Sequence, residues 1–411
     1  MSLPASVKVE VRFATGASFG NVLVLGSATD GILGQNVLGT TSVQPVDITS
    51  QVTRVSIANG RDRVFDHYNS GTCTVQLLDT TGNWNPENTS SPYYPNILPM
   101  RQIRISATYS ATKYYLFSGY ITSFDYQYQP GLKAAIVTIT AADAFRLLNL
   151  ATVSTVSGTA AGDLPGVRIG KILDAISWPA GMRDIDNGAI TMAADPGTTR
   201  SALDALWDCE DVELGALYTD PEGNVVFKDQ NAQALEAAGT PTKFDDDGTD
   251  IEYNQIDVNL DDTELANYVI VQRFGGTAQV AQDATSISTY FRRSYSRTGL
   301  LFQTDTQAAQ QANDILNNRK NVEIRIESFT LDLSGPSTRI TPGLSLGIGS
   351  PIQIARTQPG GSRIVADLTV QGIRHEITPS TWQTTFTTAK SLGSAFILGS
   401  TIFGVLGTSV L

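Results

Sequence analysis

The 411-residue sequence has only two cysteines, Cys73 and Cys209, and two histidines, His67 and His375. Two distant thiols with no C-x-x-C pair exclude a disulfide framework and a thiolate metal site. Cys73 lies in an alternating run, residues 72–77, and reads as a small buried core residue. The histidines sit far apart, outside H-E-x-x-H or H-x-H patterns, so neither reads as a metal ligand or catalytic base. Charge is also scarce. Asp, Glu, Lys and Arg make up 17% of the chain, against about 25% in an average soluble domain. Net charge is −12, from 28 basic and 40 acidic residues, and no run of five basic residues occurs. That balance opposes binding to nucleic acid or to an anionic membrane. No apolar stretch reaches the roughly 20 residues of a membrane span, so no stable membrane binding is expected. Met1-Ser2-Leu3-Pro4 lacks the basic region and apolar core of a signal peptide.

Motifs of catalysis are missing too. There is no G-x-S-x-G elbow, Walker A loop or dinucleotide fingerprint. The run Asp245-Asp246-Asp247-Gly248-Thr249-Asp250 lacks the spacing and terminal Glu of a calcium loop, and reads as a solvated junction. With 40 acidic residues, a glycosidase-type carboxylate pair has no signature in one sequence. No catalytic residue, metal ligand or cofactor is assigned, and the chain is not expected to be an enzyme.

What fills the space left by charge is Thr, Ser, Gln and Asn, a bias toward sheet-rich proteins with wide polar surfaces. Val7, Val9, Val11 and Phe13 alternate with polar residues, the period of a half-buried strand. Similar runs recur at 53–57, 73–77, 103–105, 115–121 and 135–139, separated by turn residues such as Asn59-Gly60 and Gln129-Pro130-Gly131. A short helix closes this region at 143–148. Residues 151–243 change character. Ile169, Ile172, Leu173 and Ile176 have helical spacing before Trp178-Pro179. Ser201 and Asp204 mark a second helix start, and Asp220-Pro221-Glu222-Gly223 reads as a hairpin turn. From 244 to 390 strands return, interrupted by one amphipathic helix carrying Ala308, Ala312, Ile315 and Leu316. The expected fold is mainly β with a small α/β part: β-barrel or sandwich domains at 1–150 and 244–390 flank an α/β domain at 151–243. Residues 391–411 form an apolar tail, broken at Gly399-Ser400-Thr401, Gly404 and Gly407-Thr408-Ser409, that reads as a docking segment.

The order of several short motifs is similar to that of phage tail-hub and minor tail proteins. The first group comprises Val55-Ser56-Ile57, Arg61-Asp62, Cys73-Thr74-Val75-Gln76-Leu77-Leu78-Asp79 and Gly82-Asn83-Trp84-Asn85-Pro86. Phe117-Ser118-Gly119-Tyr120-Ile121 and Ala142-Asp143-Ala144-Phe145-Arg146-Leu147-Leu148 follow. The second group is Thr341-Pro342-Gly343, then Val370-Gln371-Gly372-Ile373-Arg374-His375-Glu376-Ile377, then Thr381-Trp382-Gln383-Thr384-Thr385-Phe386. The resemblance spans about residues 45–390. It implies two tail-tube-like barrels joined by an extra domain, a homotrimer at the virion tail tip, and a ring around the DNA exit channel. The partners implied are the distal-tail ring, tail tube, tape measure and tip or fibre proteins, with DNA only passing through and synthesis in the bacterial host cytoplasm. The competing expectations are a hexameric distal-tail ring and a carbohydrate-binding virion module using Tyr93-Tyr94, Tyr114-Tyr115, Tyr126 and Tyr128. A cell-wall hydrolase is a further alternative.

One internal repeat stands outside that resemblance. Residues 25–38 and 398–411 share L-G-S-x-x-x-G-[IV]-L-G-x-x-V-L without gaps, eight positions being identical besides the Ile/Val one. Such a segment can be a strand-turn-strand edge or an extended docking element that adds to an exposed sheet edge. The docking reading nominates Leu25, Ile32, Leu33, Val37, Leu38, Leu398, Val405, Leu406, Val410 and Leu411 as assembly-interface residues.

Overall fold

The computed structural model describes residues 3–13, 19, 45–61, 63, 66–128, 131 and 134–390. Twelve longer strands build most of one sheet. They are β1 (Ser6–Arg12), β2 (Val52–Gly60), β3 (Asn69–Asp79), β4 (Gln102–Tyr109), β5 (Thr112–Tyr128) and β6 (Ala135–Ala142), then β7 (Thr242–Asp245), β8 (Gln255–Asn259), β9 (Arg325–Asp332), β10 (Pro351–Thr357), β11 (Arg363–Ile377) and β12 (Trp382–Ala389). Alternation decides their faces. Gly71, Cys73, Val75, Leu77 and Asp79 of β3 are buried, as are Trp382, Thr384, Phe386 and Thr388 of β12.

Each β-rich stretch makes its own antiparallel meander. In the first, the order is β2-β3-β6-β5-β4-β1; in the second, β11 lies between β12 and β10, β12 leads on to β9 and β8, and β7 pairs β10 in parallel. The two meanders are then fused. Residues 55–60 of β2 pair antiparallel with 377–372 of β11. With the two-residue strands Val46–Asp47 and Ile251–Glu252, the result is a single 14-stranded sheet. The fold is mainly β, as expected, but no sheet of the described residues closes into a barrel. The edge of β2 that could close the first meander on itself is occupied by β11. One apolar core serves both meanders, from Val9, Val75 and Trp84 to Phe244, Phe329 and Phe386.

A second core lies beside the first. The helices Ala144–Leu150, Pro165–Ala175, Ala202–Glu213 and Asp305–Arg319 contribute to it. So does a three-stranded sheet with Tyr268–Arg273 at its centre. Ser201 caps its helix by accepting from Asp204 N at 2.9 Å, and Thr304 caps another through a full capping box with Gln307. By packing, residues 265–320 belong to this body, because Val269, Val271, Phe302, Ala308 and Ile315 are buried in the same apolar core as Leu206, Cys209 and Val212. The hairpin Ala216–Thr219 and Val225–Lys228 forms around the Asp220 turn.

Candidate functional site

A buried polar cluster and a close backbone crossing mark the seam where β2 meets β11. A bulge in β11 between Val370 and Gly372 puts Gln371 at the centre of a buried polar cluster. Arg61 N donates to Gln371 O at 3.0 Å, and Arg61 Nε donates to Gln371 Oε1 at 2.8 Å. Tyr68 Oη also donates to that oxygen at 3.1 Å, while Gln371 Nε2 donates to Thr369 Oγ1 at 2.8 Å. The Arg61 guanidinium lies 4.3 Å from the centre of the Tyr68 ring. Arg61, Tyr68 and Gln371 are all buried. The side-chain bonds satisfy polar groups that would otherwise be costly inside a core.

The helix Ala202–Glu213 leans on this seam. Glu210 is buried, with Oε1 accepting from Leu217 N at 2.9 Å; burial pushes its pKa up to about 7. His67 Nε2 is 2.9 Å from Asp211 Oδ1, which also pairs with Arg297, and its ring lies 4.6 Å from that of Trp207. Burial disfavours the charged imidazole, but the bond to Asp211 and the nearby Glu210 outweigh it, so its pKa is raised. His375 is 2.8 Å from Thr384 Oγ1 and edge-on to Trp382; burial drives its pKa down to about 4. Each histidine thus has a packing role, one between bodies and one within a sheet.

Other motifs act as clamps. Asp79 accepts from the backbone N–H groups of Thr81, Gly82, Asn83 and Trp84 at 2.8–3.2 Å, which sets Trp84 into the core against Tyr93 and Phe13. Asp143 caps its helix at Phe145 N and also ties down Ser70 Oγ and Gly71 N. Burial pushes its pKa up to about 6 despite those three bonds. Ser118 donates to Pro221 O at 2.8 Å, Arg104 to Glu222 O at 3.2 Å and Asn59 to Thr219 O at 2.9 Å. The 117–121 motif and the end of β2 therefore bind the hairpin of the second body to the sheet.

Several candidates resolve into structural roles. The acidic run is a turn closed from inside: buried Asp245 accepts from Gly248 N and Asp250 N, and Asp246 and Asp247 pair with Arg356 and Arg363. Among the described residues, no group of three His, Cys, Asp or Glu side chains is placed to hold a metal. Both cysteines are free and buried. The tyrosines are used separately. Tyr93 packs on Trp84, Tyr115 lies beneath Arg104 and Lys113, and Tyr126 and Tyr128 stack 6.4 Å apart. All ten nominated interface residues, Leu25, Ile32, Leu33, Val37, Leu38, Leu398, Val405, Leu406, Val410 and Leu411, lie outside the described residues. The seam partners Arg61 and Gln371 both stand in quoted motifs. Their pairing, 310 residues apart, had no local signal.

No family model and no curated protein matches the sequence. Solved structures do match. The tail protein from Neisseria meningitidis MC58 superposes with a TM-score of 0.59 at 12% identity, over 94% of this chain and 96% of that one. The 43 kDa tail protein of prophage MuSo2 from Shewanella oneidensis does so at 0.55 and 11% identity, over 95% and 97%. The chain therefore has the fold of phage tail proteins.

Proposed function

We propose that this chain is a structural subunit of a phage tail tip, a hub that assembles as a homotrimeric ring around the DNA exit channel. The observation that carries the reading is fold likeness to two tail proteins over nearly the full length of both partners. The fused sheet is consistent with it. The seam joins two β-rich halves into one unit, so that each subunit brings two tube-like elements, residues 1–150 and the sheet-forming parts of 244–390 (244–264 and 321–390), to a ring. Residues 151–243, together with 265–320, form the body beside them. A sheet edge is open among the described residues: there β8 pairs only β9, and most of its residues are exposed. Unpaired edges of this kind are covered or paired in stable assemblies.

On this reading the distal-tail ring, tail tube, tape measure and tip or fibre proteins are the partners, DNA passes without stable binding, and the virion tail is the destination after synthesis in the host cytoplasm. The chain does no catalysis and needs no cofactor or metal. The two repeat copies, 25–38 and 398–411, serve as docking segments toward those partners. Gold-labelled antibody against this chain, applied to intact tails, tests the placement. Label at the distal tip supports it; label along the tube, or none on tails, refutes it.

A further inference from the structure

Phe291 is 85% exposed, the highest value among the large apolar residues described. It follows the helix Ala284–Tyr290 with φ +60° and ψ +172°, a region essentially reserved for glycine. Buried Asn267 holds the turn there. Its Nδ2 donates to Phe291 O at 2.8 Å, and its Oδ1 accepts from Arg293 N at 2.7 Å. The Asn267 and Tyr268 amides both donate to Arg293 O at 3.1 Å. The Arg292 guanidinium lies 3.4 Å from the centre of the Tyr268 ring, is exposed, and has no ion-pair partner among the described residues. With the Phe291 ring so exposed, packing within the subunit does not offset the strain of its backbone. A strained backbone that displays an aromatic ring beside a cation fits a contact with another molecule.

The chain also carries the complement of that tip. Residues 284–297 hold three arginines and no acid, in a chain of net charge −12. Residues 257–264 hold Asp257, Asp261, Asp262 and Glu264 and no base. Among them Val258 of β8 and Leu260 just beyond it are exposed, Leu260 at 62%. Asp257 accepts from Ser328 Oγ at 2.7 Å and Gln255 Nε2 at 3.2 Å, and has no cation beside it among the described residues. The two segments are neighbours, since Arg293 pairs with Asp262, yet the apolar groups of both stay exposed. We propose that Phe291 of one copy docks on Val258 and Leu260 of a second copy, with Arg292 meeting Asp257, and that this head-to-tail contact joins the subunits. The inference rests on the ring reading above and deepens it, by naming the surface through which one subunit holds the next.

Cross-linking and sedimentation of the purified full-length chain test it. Both native cysteines are buried, so introduced thiols report alone. When Phe291→Cys and Leu260→Cys chains are mixed and oxidised, an inter-chain disulfide joins positions 291 and 260, read by peptide mass. Leu235→Cys, exposed on the helix Gln230–Ala237, is the control and does not link to position 291. No 291–260 bond, or as much of the control bond, overturns the proposal. In sedimentation, Phe291→Ala and Phe291→Gly each weaken self-association by roughly tenfold or more. At concentrations where the parent is a monomer, neither lowers the melting temperature, because the ring packs on nothing in its own subunit and glycine suits the backbone. A lower melting temperature in the glycine chain shows a packing role and overturns the proposal. A parent whose association ignores both substitutions overturns this contact and leaves the ring reading standing. A parent that stays monomeric at every concentration overturns the contact too, while antibody labelling of tails still decides the tail-tip placement.

Discussion

The backbones of Gly60 and Gly372 cross so closely that a Cβ on Gly60 would lie 2.2 Å from Gly372 Cα and 2.5 Å from Gln371 O. Gly60 also has φ +129°, a region other residues rarely enter. Gly60→Ala is therefore expected to cost at least about 3 kcal/mol, strain and overpacking together. Gly361→Ala is the control. It shares a positive φ of +93° but meets nothing within 4 Å, so it costs about 1–2 kcal/mol. Urea titrations of both variants check the difference; equal losses would remove the seam's special status.

Asp143 holds a helix start and a strand together through three bonds. Asp143→Ala loses the cap and leaves the buried Gly71 N–H unpaired, for about 2–4 kcal/mol. Asp143→Asn keeps the acceptor and loses less. Thermal unfolding of the pair measures this, and an alanine variant as stable as the asparagine one contradicts the clamp.

Glu210 gives the seam a pH dependence. Its folded pKa of about 7 lies above the ordinary 4.5, so the folded state holds the proton more tightly. The stability this supplies is complete below pH 4.5 and is lost as pH rises through 7. His67, with its raised pKa, acts in the same sense at higher pH. Glu210→Gln should flatten stability between pH 5 and 7.5 and exceed the parent at pH 8 by about 1–3 kcal/mol. An unchanged slope in denaturant titrations would show that Glu210 is not protonated in the fold.

His375 works in the opposite direction. Its folded pKa is about 4 against an ordinary 6.5, so the unfolded chain takes up the proton first. Stability then falls as pH drops from 6.5 to about 4, by on the order of 3 kcal/mol, and this contribution is constant below that. In His375→Gln that part of the acid slope disappears, whatever the variant's stability at neutral pH. Persistence of the full slope contradicts a buried neutral imidazole.

Much of this was legible in local pattern. The alternation of β1, β3 and β12 marked strands and their buried faces, and the helical spacing of Ile169, Ile172 and Leu173 marked a helix that stops before Trp178-Pro179. Asp79 and Asp143 were visible as motif members, although their roles as clamps depend on backbone groups that carry no side-chain signature. The seam was not legible. Strand pairing between residues 55–60 and 372–377 is a choice of partner, and period-two alternation says which face is buried, not which neighbour is met. Assignment of 265–320 to the second core failed to show for the same reason: Val269 and Val271 alternate like any half-buried strand.

Symmetry at the tail tip tests the central claim most directly. Electron cryo-microscopy of intact tails, with this chain fitted into the tip density, should show three copies in a closed ring, each contributing two β-rich halves to the wall of the channel. Six copies would make it a distal-tail ring instead, and density that accommodates the chain only off the channel axis would contradict the hub reading.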